Sequence, residues 1–183
     1  MSKLDVLRVS EWVPWRFDGS YQLQQTKEPA RLVVGPVSAH ADIFLSLARA
    51  LRPPFAFLYI LHTPRQAPAG GRFQSPALGL AEVEAFLGQF GPFLAADSRH
   101  DLWLRSRPDS ATLVWDRHDL LYAYGPLERF EDILAAKGLK PGTPSVPTPH
   151  AHNYHEAWDA QEVSILAAFN WAVSDLQEQD RQA

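Results

Sequence analysis

The chain has 183 residues, 46% of them hydrophobic, no cysteine and a formal net charge of −4 at pH 7. The length suits one domain, and the absence of cysteine excludes a disulfide scaffold, a thiolate metal site and a cysteine nucleophile. The early charges and the interrupted apolar stretch at 43–61 predict neither a secretion signal nor a membrane span, so we expect a cytoplasmic protein. The acidic balance argues against nucleic-acid binding, since nucleic-acid-binding surfaces are basic.

The order of elements follows from hydrophobic period and from proline and glycine breaks. Residues 1–30 predict only two short extended pieces joined at Gly19-Ser20. After them the chain predicts, in order, a strand at 31–34, a helix at 39–51, a strand at 55–61, a helix from residue 80, strands at 102–106, 111–116 and 120–125, a helix at 127–137 and a last helix from residue 159. The segments 65–79 and 140–149 are rich in proline and predict irregular, exposed connections.

Some of these elements carry sharper predictions. The strand at 55–61 is continuously apolar, so we expect it to be covered on both faces, with Phe57 and Leu58 both buried. Ser38 is expected to cap the first helix, and Gly91-Pro92 should kink or divide the helix that starts at residue 80. The last helix should bury an apolar stripe formed by Ile165, Phe169, Val173 and Leu176.

Together the elements predict an α+β fold in one domain that covers residues 1–183. A mixed, largely antiparallel sheet of about five strands is expected, with the helices mainly on one face. The clearest prediction within the sheet is a three-stranded antiparallel meander at 102–106, 111–116 and 120–125, because Pro108 and Asp109 favour a tight turn between the first two strands.

Histidines are concentrated in one short segment, at His150, His152 and His155. Imidazole is a common ligand of zinc and of other divalent transition metals. The spacing His-x-His-x-x-His resembles the motif of the metallo-β-lactamase family over these six residues, and that resemblance implies a metal-dependent hydrolase. The chain departs from the motif at Tyr154, where the family has an Asp, and no histidine follows His155. No family is assigned on this ground.

Local geometry adds to the interpretation of this segment. Residues two apart in an extended chain point to the same side, so His150 and His152 should project together. We expect a further ligand from the tip of the meander, either His118 or Asp116, whereas His155 lies where the last helix begins and is an open candidate. The alternative is a polar linker whose histidines hydrogen-bond to the start of that helix.

The charged turn at the tip of the meander has two possible interpretations. In Asp116-Arg117-His118-Asp119 the imidazole is a candidate general base or ligand, yet charged side chains at hairpin tips ordinarily face water. The triplet Arg99-His100-Asp101 at a strand entrance is interpreted in the same way, as exposed loop composition.

Two functional hypotheses follow. The favoured one is a non-catalytic module that binds another protein and needs no cofactor, because tryptophan and arginine are enriched at interfaces. Its surface would comprise Trp103, Arg105, Trp115 and Arg117. The alternative is a small metal-dependent hydrolase with zinc or another divalent transition metal at the histidine-rich segment. The sequence leaves the partner, the substrate and the oligomeric state open.

Overall fold

The computed structural model describes residues 1–26 and 29–181. Its strands are β1 (Leu4–Arg8), β2 (Glu11–Pro14), β3 (Ser20–Gln24), β4 (Arg31–Gly35), β5 (Phe55–Leu61), β6 (Gly71–Gln74), β7 (His100–Ser106), β8 (Ala111–Trp115), β9 (Leu121–Tyr124), β10 (Lys140–Pro141), β11 (His150–His152) and β12 (Ala172–Ser174). Its helices are α1 (His40–Arg49), α2 (Leu80–Ala96), α3 (Leu127–Ala136), α4 (Asp159–Leu166) and α5 (Glu178–Arg181), with a 3₁₀ turn at Glu156–Trp158.

Nine of the strands form one sheet in the order β10-β3-β4-β9-β8-β7-β5-β6-β12, and β11-β1-β2 form a second, small sheet. Every neighbouring pair is antiparallel except β10 with β3. The mixed α+β class and the meander β7-β8-β9 are therefore confirmed. The predicted sheet of about five strands is too small, because the additional strands are two to five residues long and lack a visible hydrophobic period.

One face of the large sheet carries the hydrophobic core. Alternate residues such as Phe57, Leu104 and Leu113 point toward helices α1, α2 and α3 and are almost fully buried. The helices contribute Phe44 and Phe90, among others, to the same cluster. Because strand side chains alternate in direction, the neighbouring residues of each strand face the other way.

We call this second side of the large sheet the open face. Leu58, Trp103 and Arg105 belong to it, and Leu58 is half-buried whereas Phe57 is not exposed at all. The prediction that Leu58 is buried like Phe57 is thus wrong, since only one face of β5 is covered by helices. Trp103 and Arg105 share this face, as the alternation with Leu102 and Leu104 predicts.

Helix α2 and the last predicted helix differ in part from their predictions. Helix α2 runs through Pro92 without a break, so the predicted division does not occur, and the buried Phe90 and Phe93 lie on either side of the proline. The last predicted helix ends at Leu166, because the chain turns so that Phe169 stacks on Phe86 at 5.5 Å between ring centroids. Across the part of the chain that the structure describes, none of the helices is both long and apolar enough to cross a membrane.

Segment boundaries near α1 and in the proline-rich connections also differ. Ala39, in a left-handed conformation, precedes α1 in place of Ser38, and no side chain caps the helix there. The connection at 65–79 contains strand β6, which the irregular composition hides. In the segment at 140–149, predicted to be irregular, Lys140–Pro141 form strand β10 beside β3, and the remaining residues are irregular and largely exposed.

Candidate metal centre

Three imidazoles converge where the small sheet meets the tip of the meander. His150 and His152 come from β11, and His118 comes from the turn between β8 and β9. One nitrogen from each ring lies within 4.8 Å of the others. The ring centroids are 4.9 to 5.4 Å apart, and each pair of rings is T-shaped, with the edge of one ring toward the face of the other.

Strand pairing explains why two of these rings point inward. In the antiparallel pair β1–β11, Leu4 lies opposite His152 and Val6 lies opposite His150. Directly opposed residues share a face of the sheet, and Leu4 and Val6 are both only 2% exposed. The two histidines therefore project from the inner face of the small sheet, toward the body of the protein.

The third imidazole is held by its own turn. Oδ1 of Asp116 accepts the backbone N–H groups of His118 and Leu120, both at 2.9 Å, which closes the turn. Oδ2 of the same carboxylate lies 3.2 Å from Nδ1 of His118. Because an ionised carboxylate only accepts, Nδ1 carries the proton in the neutral ring of His118, and Nε2 then has the lone pair.

His150 is oriented in the same manner by the backbone. Its Nδ1 lies 2.9 Å from the carbonyl oxygen of Pro147, which has no proton to give. Nδ1 is therefore the donor, and Nε2 is left with a lone pair. A hydrogen bond from the second ring nitrogen to a carbonyl or carboxylate is the arrangement that orients histidines at metal sites.

His152 is kept neutral by its surroundings. Burial, together with the nearby His118 and Arg117, lowers the pKa of His152 to about 4. Its buried Nδ1 has no hydrogen-bond partner within residues 1–26 and 29–181. A neutral imidazole with an unsatisfied nitrogen is ready to accept a cation, because only the deprotonated form coordinates.

Buried groups lock the three contributing segments together. The Ser98 hydroxyl lies 2.7 Å from the carbonyl oxygen of Lys3 and 2.9 Å from that of Arg117, and the Ser98 N–H donates to the carbonyl of Asn153. Ser98 is fully buried. It thus joins β1, the His118 turn and the end of β11 at one point.

Lys3 also holds the turn that carries His118. Its buried Nζ donates to the carbonyl oxygen of Asp116 at 2.7 Å and lies 5.0 Å from the centre of the Trp115 ring. Burial lowers the pKa of Lys3, although the Asp119 carboxylate opposes that shift. Asp119 in turn accepts the indole N–H of Trp115 at 2.9 Å and lies 3.1 Å from Nε2 of His40.

Next to these groups lies a second buried polar cluster, centred on Arg99. All five N–H groups of its guanidinium have acceptors: Asp97 takes two, and Asp159, Glu162 and the carbonyl of His155 take one each, at 2.6 to 3.1 Å. Although burial opposes its charge, these pairs raise the pKa of Arg99 above its usual range. In the triplet that begins at Arg99, Arg99 and His100 are therefore buried and Asp101 is half-buried, so the interpretation as an exposed loop is wrong.

The structure separates the remaining predicted site residues. His155 lies outside the histidine cluster, because its Nε2 is 3.1 Å from the carbonyl oxygen of Ser2 and its N–H donates to Asp97. Asp116 orients His118 and is not grouped with the three imidazoles as a ligand. Trp115 is only 1% exposed and packs in the core, so its ring lies on the opposite side of the sheet from Trp103.

Sequence reasoning missed the groups that support the site. Lys3 and Ser98 carry no motif, and their roles follow from contacts between segments far apart in the chain. The one available signal was the polar run at 97–101, which is unusually charged for a strand entrance. Arg117 was expected at the surface; its N–H donates to Asp101 at 2.8 Å and the residue is half-buried.

A tetrahedral zinc ion fits this donor set. Nitrogens bound to one zinc lie about 3.4 Å apart, given Zn–N bonds of about 2.0–2.1 Å. The three ring nitrogens lie within 4.8 Å of one another, so the rings would have to move closer together to bind one ion. A cavity of about 410 Å³, lined by His118, Asp116, Asp101 and Trp103 among others, adjoins the cluster.

Comparisons of the chain with protein-family models, with curated proteins and with solved structures find no significant match.

Proposed function

We propose that the protein is a metal-dependent hydrolase that binds a divalent transition metal, with zinc as the best match, at His118, His150 and His152. The convergence of three imidazole nitrogens within 4.8 Å carries the proposal. Three protein ligands leave the fourth tetrahedral position to water or substrate, which is the pattern of catalytic zinc sites. Structural zinc sites instead fill all four positions with protein groups.

The chemistry of the surrounding groups supports this proposal. A bound zinc lowers the pKa of a coordinated water to about 7 and so supplies a nucleophile at neutral pH. Asp116 and the Pro147 carbonyl hold the ligand tautomers of His118 and His150. The adjoining cavity of about 410 Å³ gives a small substrate access to the His118 side of the cluster.

Calorimetric titration of zinc into chelator-treated protein at pH 7.5 tests the metal site. We expect one ion per chain with micromolar or tighter affinity. His118→Ala and His152→Ala should each weaken binding by about 100-fold, since each leaves only two of the three imidazole ligands. Zinc-dependent hydrolysis of 4-nitrophenyl acetate, abolished by His118→Ala, then tests the reaction class.

His155→Ala is the matched control, because this histidine belongs to the same sequence motif but lies outside the cluster. Its zinc affinity should equal that of the parent protein. Absence of micromolar binding in the parent protein, or equal loss in the His155→Ala control, would remove the metalloenzyme proposal.

The interaction-module hypothesis is kept as a second candidate on one observation. Half-buried Trp103 and exposed Arg105 lie side by side on the open face, whereas burial of Trp115 removes one member of the predicted surface. A protein without zinc affinity that still binds a partner through this face would favour it.

A further inference from the structure

A second and larger cavity lies on the open face of the sheet. Its volume is about 660 Å³ and its lining includes Arg72, Arg105, Arg107 and Trp103. Small-molecule sites in proteins have volumes of about 300–1,000 Å³. The cavity therefore has the size of a ligand site, and its chemistry decides which ligand suits it.

The charge of the lining is positive. Three arginines line the cavity and no carboxylate does, within the part of the chain that the structure describes. Arg72 is paired with Asp180 at 2.6 Å, but the guanidinium groups of Arg105 and Arg107 have no hydrogen-bond or ion-pair partner among the described residues. In a chain with net charge −4, two unpaired arginines in one concave surface indicate an anionic ligand.

Apolar side chains, among them Leu58 and Trp103, also line the cavity. Strand register places Leu58 and Val114 on either side of Trp103, and Thr112 directly opposite Arg105. Of these residues, all but Val114 line the cavity. The indole Nε1 of Trp103 is buried without an acceptor in the described chain. An aromatic ring flanked by aliphatic side chains suits a planar ligand group, and the arginine end suits an oxyanion.

Trp103 also lines the smaller cavity beside His118, so the two cavities share a wall. Asp101, Trp103 and Arg105 alternate along β7 and face the same way, which spreads them over about 13 Å. A ligand held at Arg105 can therefore extend past Trp103 toward the histidine cluster. A molecule of two fused rings with one substituent is long enough to pass Trp103.

We propose that this cavity binds the oxyanion group, phosphate or carboxylate, of a small planar substrate whose other end reaches the metal site. As a statement about substrate class, this rests on the proposed hydrolase function; as a binding site, it stands on the cavity alone. Arg105 and Arg107 provide the forked donors that oxyanions accept in pairs, and Trp103 packs on the planar part.

The test uses the metal-free, full-length protein and three probes of one shape: 1-naphthyl phosphate, 1-naphthoate and uncharged 1-naphthol. Calorimetry at constant ionic strength should show at least one anion binding about 10-fold tighter than naphthol, and the tighter of the two anions identifies the oxyanion. Arg105→Gln and Arg107→Gln should each weaken that anion by about 10-fold. Arg129→Gln removes the same charge from an exposed position on α3 and should change nothing.

Equal affinity for naphthol and the anions, or anion binding that survives in the double Arg105→Gln, Arg107→Gln variant, overturns the inference. Zinc titration of the same preparations separates it from the proposed function. Zinc binding without anion binding leaves the metal site and removes this cavity as the substrate site. Anion binding in a protein that does not bind zinc removes the hydrolase and leaves an oxyanion-binding site.

Discussion

The Arg99 cluster and the histidine cluster are neighbours, joined through residues 97–99, yet they are built in opposite ways. Every guanidinium N–H of Arg99 has an acceptor, and its partners Asp97 and Glu162 are themselves fully buried and hydrogen-bonded. The histidine cluster instead leaves Nδ1 of His152 buried without a partner. Polar groups that all have hydrogen-bond partners stabilise a fold. A ligand site instead requires polar atoms that converge on one point and lack a partner within the protein.

Removing Arg99 should produce the largest loss of stability. Arg99→Met leaves the buried carboxylates of Asp97 and Glu162 without their cation, so we expect the free energy of unfolding to fall by about 3–5 kcal/mol in urea denaturation. Arg129→Met, at an exposed site, is the control and should change it by less than about 0.5 kcal/mol. If the methionine variant does not fold, Arg99→Lys, which keeps the charge but not the fork, should be intermediate. A loss below about 1 kcal/mol in Arg99→Met would contradict a structural role.

Ser98 lies between the two clusters and its removal should affect both stability and the site. Ser98→Ala removes the one hydroxyl proton that the carbonyls of Lys3 and Arg117 share, while the Lys3 carbonyl keeps the N–H of Asn153, so a loss of about 1–3 kcal/mol is expected. Zinc affinity should fall as well, because the same hydroxyl joins the segments that carry His118 and His152. The matched control is Ser164→Ala, whose exposed hydroxyl bonds only within its own helix. A stable variant with unchanged zinc affinity would separate Ser98 from the site.

Asp116 should matter to the metal more than to the fold. Asp116→Asn keeps an oxygen for the two backbone N–H groups but removes the charge that holds Nδ1–H of His118. Loss of such a supporting carboxylate typically lowers metal affinity by about 10–100-fold. Asp5→Asn, on the strand next to β11, controls for a general loss of negative charge. Calorimetry that gives both variants the same affinity would show that Asp116 does not orient the ligand.

The sequence predicts one half of this comparison better than the other. The histidine cluster was partly foreseeable, because alternation in an extended segment pairs His150 with His152, and the hairpin tip exposes His118. The strand partner β1, which turns both rings inward, was not foreseeable, since residues 1–30 have no clear period. The Arg99 cluster was interpreted as an exposed loop, because burial of Arg99 depends on Glu162, 63 positions away in the chain.

Lowering the pH should reduce the free energy of unfolding through the histidine cluster, and this is the smallest of the effects predicted here. The pKa of His152 is about 4 in the folded protein, below its ordinary value of 6.5, because burial disfavours its charge. The unfolded chain therefore takes up a proton first as the pH falls. The stabilisation from neutral His152 is complete above about pH 6.5 and disappears as the pH approaches about 4. Burial lowers the pKa of His40 and His100 as well, and both add in the same direction.

Comparison of the parent protein with His152→Gln isolates the contribution of this one side chain. Between pH 7.5 and 5 the parent should lose about 1 kcal/mol more unfolding free energy than the variant, which is roughly half of the ideal linkage value because His152 is partly exposed. Urea denaturation at both pH values measures it, with His155→Gln as the control whose loss matches the parent. Saturating zinc should steepen the acid loss in the parent and in His155→Gln but not in His152→Gln, because only neutral imidazoles coordinate and acid releases the ion. Parallel curves for the parent and His152→Gln would mean that burial does not hold this ring neutral, and the contrast with the Arg99 cluster would lose its basis.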